Sequence, residues 1–138
     1  MMKRVFIIIA VFIFTLSACA APSEPEPPPE YIKITPEEAS DMMNSGNNVI
    51  ILDVRTQEEY DAGYIENAVL LPYDEIGEKA QSIIPDKSSS ILIYCRRGRR
   101  SEIAARELLE MGYTKVYDFG GVENWGDDAE AYFKIITR

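Results

Sequence analysis

The sequence predicts an α/β fold, with a central parallel sheet of about five strands and helices on both faces. Three observations predict it. Short, fully apolar runs such as Val49-Ile50-Ile51-Leu52 and Ile91-Leu92-Ile93-Tyr94 read as strands covered on both sides. Between them lie stretches of helical period with recognisable start and stop residues. Residues 31 to 138 are also of ordinary domain length and contain no internal repeat, so one core suffices without disulfide staples.

Along the chain, Thr35-Pro36-Glu37-Glu38 places a capping residue, a proline at the first helical position and a glutamate at the third, and Gly46 ends that helix. The strand Val49 to Leu52 follows. Thr56-Gln57-Glu58-Glu59 repeats the capping pattern for a short helix stopped at Gly63, and Glu58 and Glu59 read as solvated charges suited to the helix dipole. Val69-Leu70-Leu71 is the next strand. Ile76, Ala80, Ile83 and Ile84 form a helical stripe, Pro85 to Ser90 a turn, and Ile91 to Tyr94 the central strand. Ala104, Ala105, Leu108 and Leu109 face inward on a helix closed by Gly112, and Lys115-Val116-Tyr117 is expected to be the last strand. In such sheets ligands bind beyond the carboxyl ends of the strands.

Cys95 lies at such an end, and the segment Cys95-Arg96-Arg97-Gly98-Arg99-Arg100-Ser101 is the most informative in the chain. A loop entering a helix aims backbone N–H groups at one point, the helix terminus adds partial positive charge, and Gly98 lets the chain curl. Four arginines lie within five residues of the thiol. Packing them together costs self-repulsion unless an anion is meant to sit among them, and every one of these influences favours thiolate over thiol. Cys95 is therefore the expected nucleophile, with Arg96, Arg97, Gly98, Arg99, Arg100 and Ser101 as the substrate-binding loop. Asp53 and Arg55, at another strand end, are expected to form a supporting ion pair. Trp125, after Gly120-Gly121, is expected to pack beneath a loop. The chain has no histidine, which removes Cys-His and Ser-His mechanisms and a His-rich metal site; no metal or cofactor is expected.

This loop resembles the active-site loop of the rhodanese family: Cys, two residues, Gly, one residue, Arg, then often Ser. The match falls on Cys95, Gly98, Arg100 and Ser101. Similar positions recur at Asp53-Val54-Arg55, Glu58-Glu59-Tyr60, Gly63, Ile65, Ala68, Pro72, Gly120-Gly121 and Trp125, so the resemblance covers about residues 31 to 126. It departs at Tyr64 and Asn67, where that family usually has His and Gly. The resemblance implies a sulfurtransferase moving sulfane sulfur from an anionic donor such as thiosulfate to a thiol or cyanide-like acceptor, or to a protein, through a Cys95 persulfide. A membrane-tethered persulfide carrier or redox binding module without appreciable turnover is the alternative of another class. A phosphatase or arsenate reductase is a third reading. It fits less well, because four residues separate Cys95 from Arg100, one fewer than in related phosphatases.

Before the domain, Lys3-Arg4 precede a twelve-residue run, Val5 to Leu16, too short to span a bilayer, which takes about twenty residues. Leu16-Ser17-Ala18-Cys19 resembles the bacterial lipobox, so residues 1–18 are expected to be a lipoprotein signal peptide and Cys19 the lipidation site. Residues 19–30 then form a lipid-anchored tether, whose five prolines and three glutamates keep it extended and coreless. The expected location is exported, on a bacterial membrane of the cell envelope. With Cys19 acylated, Cys95 is left as a lone thiol in an oxidising compartment, a liability unless it reacts. The net charge of −9 argues against nucleic acid as a partner and makes the basic loop a local feature.

Overall fold

The computed structural model describes residues 30–126 and 129–137. The expected signal peptide, Cys19 and all of the expected tether but Glu30 lie outside them. Strand β1 (Ile32–Lys33) leads to helix α1 (Pro36–Asn44), strand β2 (Val49–Asp53) and helix α2 (Gln57–Ala62). Strands β3 (Tyr64–Ile65) and β4 (Val69–Leu70) precede helix α3 (Ile76–Ile83), strand β5 (Ser90–Cys95) and helix α4 (Arg99–Glu110). Strand β6 (Lys115–Gly121), helix α5 (Ala129–Tyr132) and strand β7 (Ile135–Ile136) complete the chain. Both predicted capping boxes form: the Thr35 and Thr56 side chains accept from the amides of Glu38 and Glu59, whose carboxylates accept in return from the threonine amides.

The main sheet is five-stranded and parallel, in the order β1-β6-β5-β2-β4, which places β5 at its centre. Side chains alternate along β5. Ile91, Ile93 and Cys95 enter a core shared with α3 and α4, while Leu92 and Tyr94 enter a second core with Ala39 of α1, Phe119, Trp125 and Phe133. Both faces are therefore covered by helices, which is why β5 is apolar without interruption.

The C-terminal region departs from the sequence reading. Lys115 to Tyr117 is not the last strand: β6 runs on to Gly121, and β7 pairs antiparallel with β3 in a separate two-stranded sheet. Two-residue strands carry no alternation to detect, and only their pairing defines them. Tyr64, one of the two departures from the family pattern, belongs to this small sheet and stacks on Tyr60 with centroids 4.0 Å apart. Asn67, the other, has φ 66°, the one positive φ outside glycine among the described residues. A left-handed backbone is what a glycine would supply there, and asparagine is among the few side chains that tolerate it.

Asn67→Ala is expected to lower the unfolding free energy by about 1 kcal/mol, whereas Asn67→Gly leaves it nearly unchanged. Urea unfolding, with an unaltered slope against denaturant, checks the pair.

Candidate active site

Cys95 ends β5, fully buried at the floor of an open cavity of about 580 Å³. The β5–β6 register shifts between Ile93 and Cys95, which sets Cys95 opposite Gly121. That glycine has a steric reason. A Cβ on Gly121 would stand 2.5 Å from the Arg96 carbonyl oxygen and from the Arg97 nitrogen and Cα, so only a residue without a side chain lets the loop lie against β6. Glu123 donates its backbone N–H to the Arg96 carbonyl at 3.1 Å, and the Asn124 side chain reaches the Arg97 carbonyl at 3.4 Å.

The loop closes over the sulfur. Gly98, at φ 92°, donates its N–H to Cys95 Sγ at 3.0 Å and turns the chain into α4. Ser101, completely buried, lies 3.6 Å from the sulfur through its Oγ and donates to the Gly98 carbonyl at 2.8 Å. Behind it sits Asp118, buried in the middle of β6 and accepting from the Gly120 N–H at 2.9 Å. Burial raises its pKa above the usual carboxylate value, opposed by the Gly120 amide and the Ser101 hydroxyl.

The four arginines are not equivalent. Arg100 makes a two-pronged contact with Glu59, Nη1 to Oε2 and Nη2 to Oε1, both 2.7 Å. Glu59 is thus not merely a solvated helix-start charge, as its sequence position suggested. The same carboxylate closes the α2 capping box and clasps the Cys loop from across the cavity. Arg100 is held protonated even more firmly than usual, chiefly by Glu59; burial opposes this, and a negative Cys95 sulfur adds to it. Glu123 was also missed. It receives Arg96 at 2.5 Å and Arg97 at 2.7 Å, one on each oxygen, and both arginines pull its carboxyl below the ordinary range. Arg99 has no carboxylate partner among the described residues.

Asp53 and Arg55 form the expected ion pair, at 2.6 Å and buried. It braces the strand ends instead of touching the loop. Arg55 also donates to the Gly63 carbonyl at 2.7 Å and lies over the Tyr94 ring, 5.5 Å from its centroid, so it steadies the residue before Cys95. Trp125 packs as expected: its indole N–H donates to the Phe119 carbonyl at 2.9 Å and its ring stacks on Phe119.

The fold has known counterparts. The rhodanese-like domain family matches residues 35–128, and the chain belongs to that family. It is 37% identical over 73 residues to the thiosulfate sulfurtransferase PspE of Escherichia coli K12, covering 53% of this chain and 70% of that one. It is 30% identical over 113 residues to the adenylyltransferase and sulfurtransferase UBA4 of Candida albicans, where the match covers 77% of this chain but only 26% of the longer relative. Among solved structures, a rhodanese-like domain protein from Staphylococcus aureus superposes with a TM-score of 0.65 at 33% identity, over 78% of this chain and 98% of that one.

The clasp has a pH signature. Hydrogen bonding from Arg100, foremost, lowers the Glu59 pKa from 4.5 to about 2. A carboxyl depressed on folding stabilises the protein fully above its unfolded value and loses that contribution as pH falls towards the folded one. Unfolding free energy is therefore expected to fall between about pH 4.5 and pH 2, with a shallower slope in Glu59→Gln. Denaturant titrations of both proteins across that window measure the difference.

Proposed function

We propose that the protein is a sulfurtransferase that carries sulfane sulfur on Cys95. The supporting observation is the single sulfur at the cavity floor, met by the Gly98 N–H at 3.0 Å and walled by guanidinium groups. The Cys95 thiolate attacks the outer sulfur of an anionic donor such as thiosulfate. Its electron pair forms the new S–S bond, the old S–S bond breaks, and its pair leaves with sulfite. The thiolate of an acceptor then attacks the outer sulfur of the Cys95 persulfide, and Cys95 departs as thiolate. Sulfur moves twice with no net redox change and no external oxidant.

Sulfite needs no proton to leave, so a chain without histidine can run this chemistry. The Gly98 amide and Arg100 stabilise the charge on the sulfur, and the Ser101 hydroxyl holds the loop carbonyl beneath it. Arg99, exposed and without an ion-pair partner among the described residues, draws the donor's oxyanion, while Arg96 and Arg97, tied to Glu123, shape the rim. The donor and acceptor are a small anion and a thiol or cyanide-like species, or a protein thiol.

Mass measurement of the domain tests this reading. Thiosulfate should add one sulfur to the wild-type protein, cyanide should remove it as thiocyanate, and Cys95→Ser should do neither. Arg100→Ala should lower turnover about 10²- to 10³-fold by removing a preorganised charge donor. Hydrolysis of aryl phosphate dependent on Cys95 would replace the sulfur reading with a phosphatase. Loading without turnover on any small acceptor would favour the carrier.

The proposal includes an N-terminal lipid anchor at Cys19, placing the domain on a bacterial membrane by way of the Pro/Glu-rich tether, and rests on the hydrophobic run and the Leu16-Ser17-Ala18-Cys19 pattern. No helix among the described residues is long and apolar enough to cross a membrane. Cys19→Ser should abolish acylation and cleavage at that site, read as loss of metabolic lipid labelling; an unlabelled wild-type protein would overturn the anchor.

A further inference from the structure

The cavity above Cys95 is lined by six charged side chains: Glu58, Glu59, Arg96, Arg97, Arg99 and Arg100. Four of them are consumed in ion pairs, Glu59 with Arg100 and the two adjacent arginines with Glu123. The remaining two have opposite sign. Glu58 projects from the first turn of α2 and Arg99 opens α4; both are exposed, and neither is ion-paired among the described residues. Their immediate neighbours, Glu59 and Arg100, join the same two elements in the bidentate clasp, so α2 and α4 meet at this cavity. An uncommitted anion and an uncommitted cation therefore line one cavity, without pairing to each other.

A simple anion uses only half of that arrangement. Thiosulfate finds Arg99 attractive and Glu58 repulsive, and it occupies little of about 580 Å³. A ligand bearing a carboxylate and an ammonium group uses both ends. We infer that the acceptor is a zwitterionic thiol, an amino-acid or short peptide thiol such as cysteine, whose carboxylate is received by Arg99 and whose ammonium is received by Glu58. This rests on the sulfurtransferase reading and assigns its second half. The two half-reactions share one anion subsite in turn: Arg99 takes the donor's oxyanion, sulfite departs, and the acceptor's carboxylate takes its place. Glu58 serves only the acceptor, and so discriminates between the two substrates.

The test separates the halves. Protein loaded with thiosulfate and desalted is unloaded with cysteine, with 3-mercaptopropionate, which lacks the ammonium, or with cysteamine, which lacks the carboxylate, and the rate of sulfur loss is read by mass. Each rate is expressed as a ratio to that of cysteine. Comparing these ratios between proteins cancels the intrinsic reactivity of each thiol. Glu58→Gln should reduce the preference for cysteine over 3-mercaptopropionate by about three- to fivefold, the range of a solvent-exposed ion pair, without slowing loading by thiosulfate. Arg99→Gln should reduce the preference for cysteine over cysteamine instead. Unchanged ratios in both variants, each first loaded to completion whatever the time that takes, would overturn the zwitterion assignment and leave the persulfide chemistry standing. Failure of the wild-type protein to load would overturn the underlying function itself.

Discussion

Four guanidinium groups in one short loop repel each other, and the site exists because carboxylates from two other elements absorb half of that charge. Glu59 reaches from α2 to Arg100, and Glu123 reaches from the turn after β6 to Arg96 and Arg97. The loop is pinned on two sides, and what is left uncommitted is confined to the cavity. A loop neutralised completely would have no pull on an anion, and one not neutralised at all would lose its shape without a ligand.

Backbone geometry sets where that charge acts. The register shift after Ile93 brings Cys95 level with Gly121, and the missing side chain at Gly121 admits the Arg96–Arg97 backbone against β6. Gly98, in a left-handed conformation, then returns its amide to the sulfur while starting α4. Two glycines 23 positions apart, Gly98 and Gly121, thus solve one problem from opposite sides, close approach and sharp return. Ser101 and Asp118 fill the space behind with hydrogen-bonded polar atoms, so the buried floor carries no unsatisfied side-chain group among the described residues.

Paired and unpaired charges divide the work. The Asp53–Arg55 pair lies in the interior and spends its hydrogen bonds on strand ends and on Gly63, which steadies Tyr94 and through it the chain position of the thiol. Glu59 combines a local duty, closing its helix, with a long-range one across the cavity. Glu58 and Arg99 have no ion-pair partner among the described residues and stand at the mouth of the cavity.

The sequence by itself determined the alternation of strands and helices, both capping boxes, the apolar centre of the sheet and the placement of Cys95 before a glycine-bearing loop. These are local properties: periodicity, cap chemistry and short spacing are written within a few residues. Only the tertiary structure decided the partners. Glu59 and Arg100 are 41 positions apart and Glu123 is 26 from Arg97, distances over which sequence carries no charge-pairing signal. The β3–β7 pairing and the extension of β6 to Gly121 belong to the same class, since two-residue strands and a glycine-rich strand end are defined by what lies beside them. A carboxylate at a helix start looks identical in sequence whether it meets water or an arginine, and folding alone distinguishes Glu58 from Glu59.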